Sequence, residues 1–262
     1  MKKRVVIALA VLLALLVLAG TRYYRAATTT NPWQAARVGD IPTPRGFTRV
    51  EVADSSYATF LRAIPLKEKG AKLHLHSGMV AKHQFLAAAI VDQPLLNKNE
   101  QCADVAIRLW VEYLLQNGRV GEISFTDVRD SVLRYRCDTV VEDSLQQYFE
   151  TYLAEVFKWC NTTSLYRETS PREFIDVQAG DILVHPAELG EEYGHAIVVA
   201  DVAKNANGKV AIMCLEGNTP AREKHIVRNK WLWRGPWFII DKNDKNIAFI
   251  KSCFHQGQLR HY

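Results

Sequence analysis

Two residues in this chain stand where covalent chemistry could be done: Cys102, in the opening turn of a helix, and His195, at the head of a strand. The cysteine lies in NKNEQCADVAIRLWVEYLLQNG, residues 97–118. A thiol among the unpaired N–H groups of a helix start is stabilised as thiolate, the form that attacks a carbonyl carbon. The competing reading is a small buried hydrophobe, since free cysteine packs as one. His195 follows Gly194 in EEYGHAIVVADV, where glycine permits close backbone approach and a strand-end imidazole can face a cleft. A nucleophilic thiol needs such a base, and the base needs a polar group to fix its tautomer. Glu216 or Asn218, ending the next strand in MCLEGN, stands at a suitable level if the two strands form a hairpin. Gln101 and the helix-start N–H groups would polarise the carbonyl oxygen, with Asp181 of the preceding strand counted as a supporting residue.

Elements of the right type surround these residues. For the Cys102 helix, Asn99 is the expected N-cap, Glu100 suits the positive end of the dipole, and Asn117-Gly118 ends it. Cys102, Val105, Ala106, Leu109, Trp110, Tyr113 and Leu114 recur at helical spacing, so the thiol begins a buried stripe. Upstream the pattern predicts a strand over 47–52, a helix over 57–63 and extended segments at 73–76 and 85–91. An amphipathic helix is expected over 141–159, with Leu145, Tyr148, Phe149, Tyr152, Leu153, Val156 and Phe157 on one face. Short β-rich runs at 180–184, 196–202 and 210–215 follow, separated by turn signals at Glu191, 205–208 and 217–220; 231–250 adds further strands. Helices first and strands second predict an α+β domain, its helices packed on an antiparallel sheet or small β-barrel.

The composition, 48% hydrophobic and 23% charged, supports a full core in one main domain. The net charge of +5 is located in Lys2, Lys3, Arg4, Arg22 and Arg25, and the remaining residues balance. A nucleic-acid footprint is therefore not indicated, and nucleic acid is not expected as a partner. Three basic residues ahead of an apolar run over 5–19 have the layout of a signal peptide or signal anchor, so the division is 1–25 leader, 26–45 spacer and 46–262 domain. The body is then expected outside the cytoplasm, in the periplasm or cell envelope, with the membrane as a partner through the leader. Five cysteines in a compartment that permits disulfides require at least one thiol that is free or bridged to another chain. Cys102 is the candidate for the free thiol, while Cys137 and Cys160 flank a helix and could bridge.

A cysteine at a helix start, then Gly180-Asp181 in one strand, Gly194-His195 in the next and Glu216 ending a third, resembles the papain-like amidases of the NlpC and CHAP kinds. A closer likeness is to a family of bacterial envelope proteins named domain of unknown function 4846, carried by QCADVAIRLWVEYL, GHAIVVADVA and the Pro220-Ala221 turn ahead of His225-Ile226-Val227. Where that family leads one to expect glutamine in the third strand, this chain has Glu216. A carboxylate there would stabilise an imidazolium, yet too near Cys102 it would suppress the thiolate. The expected function is an exported cysteine hydrolase, acting on a peptide or cell-wall amide such as a peptidoglycan fragment, without a cofactor. The alternative is a binding or scaffold protein that keeps the shell and uses the cleft to hold a ligand. His74 and His76, with His83 or His185, are a weaker constellation for a metal, and tryptophans over 231–237 could line a groove but suit packing better. His255 and His261 offer no argument for a role.

Overall fold

The β-prone runs of the C-terminal half pair into one sheet that also recruits two strands from the N-terminal half. The computed structural model describes residues 2–136, 145–187, 193–231 and 235–262. Its strands are β1 (Phe47–Arg49), β2 (Ala87–Ile90), β3 (Ser124–Thr126), β4 (Val132–Arg134), β5 (Ser170–Pro171), β6 (Ile182–His185) and β7 (His195–Asn205). They continue as β8 (Val210–Glu216), β9 (His225–Val227), β10 (Trp237–Ile240), β11 (Asn246–Ala248), β12 (Cys253–His255) and β13 (Leu259–His261). The helices are α1 (Lys2–Thr28), α2 (Tyr57–Ala63), α3 (Cys102–Gln116), α4 (Leu145–Trp159) and α5 (Thr162–Glu168). The main sheet runs β2-β9-β8-β7-β6-β13-β5, with β1 added to the far half of β7 and β10 to β8, and its described pairings are antiparallel. The chain is α+β as expected, but the sheet forks and stays open among the described residues, so the small-barrel alternative is not realised.

Alternation along β7 and β8 sorts the core into two layers. Ala196, Val198 and Ala200 of β7, with Ala211, Met213 and Leu215 of β8, pack toward Val105, Ala106 and Leu109 of α3. Ile197, Val199, Ile212 and Cys214 face the other way, against Phe238, Ile247 and Phe254. Both faces of the central strands are therefore buried, which is why these runs read as almost continuously apolar. Asp201, fully buried where β7 carries a bulge, accepts from Arg49 and from Arg62 Nε (2.8 Å), tying β1 and α2 to the central strand. The helix expected over 141–159 is present from Leu145, its first four residues lying outside the described ones.

The N-terminal segment departs from expectation. The apolar run over 5–19 belongs to a longer element: α1 continues to Thr28 as an exposed helix, long and apolar enough over Val5–Thr28 to cross a membrane. The following stretch, expected to be a spacer over 26–45, is instead built into the body. Asn31 is buried, its Nδ2 donating to the carbonyls of Ala35 and Lys67 (both 2.9 Å), while Val38 and Ile41 are fully enclosed in the core. Short side chains and prolines gave this stretch a linker's composition, but its apolar residues have a surface to bury against. Arg228, buried on β9's exit, donates to Ala27 O, Thr29 O (3.0 Å) and Ala87 O (2.7 Å), so its charge sits at the negative end of α1 and fixes that helix to the sheet edge. Arg228→Ala should cost about 3 kcal/mol by stranding those carbonyls without a donor. Urea unfolding checks this, with Arg228→Lys recovering part of the loss.

Candidate functional site

The position of Cys102 is set by what precedes it. Gln101, two residues later than Asn99, is the N-cap of α3, and its N–H donates to Asp104 Oδ2 at 2.8 Å. Glu100 is not an exposed dipole partner. It is fully buried, with Lys224 Nζ at 2.9 Å from Oε1 and Arg108 Nη1 at 2.8 Å from Oε2; Arg108 also reaches Glu112 at 2.7 Å. Burying these charges is tolerable only because each is answered, and their effect is to lock the segment before Cys102 to the residue that leads into β9. Gly217 lets the same helix start approach the end of β8, since a Cβ there would stand 2.7 Å from Val105 Cγ2 and 3.1 Å from Gln101 O. At the head of β7, Gly194 packs against His185 O and Thr162 Oγ1 with no room for a side chain.

His195 and Glu216 come together through strand register. Val198 pairs with Leu215, so the two residues share a face one diagonal step apart. His195 Nε2 lies 3.0 Å from Glu216 Oε2, and Cys102 lines the same cavity as this imidazole, near enough to influence its proton. With Nε2 turned to the carboxylate, Nδ1 is the nitrogen left for sulfur. Burial works against the charged imidazole, but Cys102 and Glu216 outweigh it and raise the His195 pKa to about 9. Burial likewise disfavours the Glu216 carboxylate, yet His195 and His225 hold it well below the usual range. Its second oxygen, Oε1, has Arg222 Nη2 and His225 Nε2 each at 3.3 Å. Both oxygens of Glu216 are thus occupied by partners of its own. Asp104 adds little negative charge near neutrality because burial, opposed by the Gln101 N–H, raises it to about 8.

Cys102 is only 7% exposed, yet it lines two adjoining cavities of about 510 and 420 Å³ that share Tyr193, Gly194 and Thr219. Gln101 Oε1 accepts from Thr219 Oγ1 at 3.0 Å, which leaves the amide's Nε2 as its donor end, beside the unpaired N–H groups of the first turn of α3. Asn218 lines the larger cavity, but Glu216 is the group on the imidazole. Asp181 takes no part in the cleft. It sits at the opposite end of β6, where it accepts from Gln178 N–H at 2.8 Å and pairs with Arg172 at 3.1 Å. Cys160 and Cys214 are buried free thiols, the first raised to about 12 by burial and nearby carboxylates, the second raised by burial. Cys160 is thus unbridged, and Cys137 lies outside the described residues. Among the described residues no His, Cys, Asp and Glu group of three is spaced to hold a metal; His74 pairs with Glu223 instead. Trp237 is buried and donates to Pro42 O, and no described tryptophan lines either cavity.

Several site residues were not picked out from the sequence. His185, weighed in the sequence only as a metal ligand, pairs across the strands with His195 and lines the larger cavity with His255, which had offered no argument for a role. Arg222 and His225 carried no local signal that they would be buried against Glu216.

An antiparallel sheet holding a Cys–His–Glu cluster at the start of its central helix defines the class as an α+β protein with a polar cleft. Residues 38–261 match the family described as a domain of unknown function (4846), and the chain belongs to it. No curated protein and no solved structure matches.

The raised His195 pKa has a consequence for stability. Its contribution is complete below the ordinary imidazole value of about 6.5 and is lost as pH rises through about 9. The stability advantage of wild type over His195→Gln should therefore shrink by about 3 kcal/mol between pH 6 and pH 10, measured by urea unfolding at each pH. An unchanging difference would mean that folding does not alter the proton on His195.

Proposed function

We propose that this chain is an exported cysteine hydrolase that cleaves a peptide or cell-wall amide bond, working through the Cys102–His195 pair. The observation that carries the reading is an imidazole paired with a buried carboxylate and facing the same cavity as Cys102, the thiol on which that cavity adjoins a second. The papain-like order of these residues along the chain supports it, as does an N-terminal helix fit to be a signal or anchor.

In this reading the Cys102 Sγ, its proton held by His195, adds to the substrate carbonyl carbon. The oxyanion that forms is met by the N–H groups of the first turn of α3 and by Gln101 Nε2. His195 then gives its proton to the departing nitrogen as the C–N bond breaks, leaving a thioester on Cys102. A water molecule, deprotonated by His195, attacks that thioester; the C–S bond breaks, the acid leaves, and the Cys102 sulfur is restored beside the reprotonated imidazole. Glu216 keeps Nε2–H donated throughout, fixing the ring so that Nδ1 serves the sulfur and the leaving group. Arg222 and His225 keep Glu216 ionised, and so keep it an acceptor.

Digestion of purified peptidoglycan and of its soluble stem peptides, followed by mass spectrometry for new amine and carboxylate ends, tests the proposal. Wild type should release products, and Cys102→Ala should lower the rate at least a thousandfold, about the size of effect seen when a nucleophile is removed, while folding as stably. Unchanged cleavage by the variant would overturn the role of Cys102. Binding of the same peptides without any cleavage would favour a shell that only holds its ligand.

A further inference from the structure

We propose that the basic cavity where α1 enters the body binds the phosphate headgroup of an anionic phospholipid. This is independent of the chemistry assigned to the cleft, from which it differs in every lining residue. The cavity, of about 500 Å³, has Tyr24 and Arg25 of the last turns of α1 on one wall and Lys72, Lys82, Gln84 and Phe85 on the other. No acidic residue lines it, and among the described residues Arg25, Lys72 and Lys82 make no ion pair.

Its depth follows from helix geometry. From Val5 to Tyr23 the helix rises roughly 28 Å, close to the ~30 Å hydrocarbon thickness of a bilayer. With α1 as the anchor, Tyr24 and Arg25 then lie at headgroup level, and the exposed Tyr23 and Tyr24 are the aromatic type favoured at that boundary. The Arg228 clamp on the carbonyls of Ala27, Thr28 and Thr29 holds the body against the end of the helix, so Lys72 and Lys82 are presented at the same depth. A ligand that fits must carry negative charge where it meets the two lysines and Arg25. It must also carry acyl chains that can run along the exposed apolar face of α1, where Val17 and Leu18 are open. An anionic phospholipid satisfies both requirements; a zwitterionic one brings a compensating cation into a cavity with no acid to receive it.

Native mass spectrometry of the full chain in non-ionic detergent, titrated with phosphatidylglycerol and with phosphatidylcholine of equal chain length, tests this. Wild type should retain one phosphatidylglycerol per chain at least about tenfold more tightly than phosphatidylcholine, with the preference falling as salt rises. The exposed pair K72E/K82E, with α1 untouched and its unfolding midpoint checked against wild type, should weaken that retention roughly thirtyfold, each lost cationic contact being worth about a factor of five. Equal retention of the two lipids, a salt-independent preference, or unchanged retention by the double variant would overturn the proposal. So would inorganic phosphate binding as tightly as phosphatidylglycerol, since the cavity would then be a site for a free anion.

Discussion

A carboxylate with little access to water is costly unless cations surround it, and Glu216 is surrounded. His195 takes one oxygen, while Arg222 and His225 crowd the other. The end of β8, the head of β7 and the turn into β9 are thereby drawn onto one group, and the imidazole of His195 is left with one nitrogen for the thiol. Removing any of the three partners would leave the acid less well answered, so the same interaction orders the cleft.

A second buried cluster, Glu100 with Lys224 and Arg108, does for the position of Cys102 what Glu216 does for that of His195. Both clusters draw on the short stretch from 216 to 225, which contributes Glu216, Arg222, Lys224 and His225. A helix start and two strand ends far apart in sequence are thus referenced to one strand–turn–strand unit, and Gly217 supplies the clearance for their approach. Arg228, just beyond, carries the same unit to the end of α1. The cleft and the N-terminal helix therefore share a frame.

Much of this was legible in the chain. The periodicity of α3, the Asn117-Gly118 stop and the β-rich runs around His195 and Glu216 each appear where local pattern put them, because local propensity and burial agree there. The pairing of Glu216 with His195 followed from treating two adjacent runs as a hairpin. The rest was hidden for physical reasons. Glu100 looked like a dipole residue because nothing local announces that Lys224, more than a hundred positions on, will be buried against it. Asp181 looked functional by its place beside a glycine, but four residues of β6 carry it to the far end of the sheet. The stretch over 26–45 had a linker's composition, and only the tertiary surface it covers shows that Asn31, Val38 and Ile41 are interior.

The central claim is that His195 activates Cys102, and peptide-resolved iodoacetamide labelling of the folded protein tests it most directly. Resolution by peptide separates Cys102 from Cys253, an exposed free thiol on the same cavity. At pH 6, Cys102 in wild type should label at least about tenfold faster than in His195→Ala, because only the imidazole holds the thiol's proton and stabilises the sulfur anion there. Equal rates in the two proteins, or no labelling of Cys102 until the chain is unfolded, would contradict the account and leave this thiol a packing residue beside an ordinary buried ion pair.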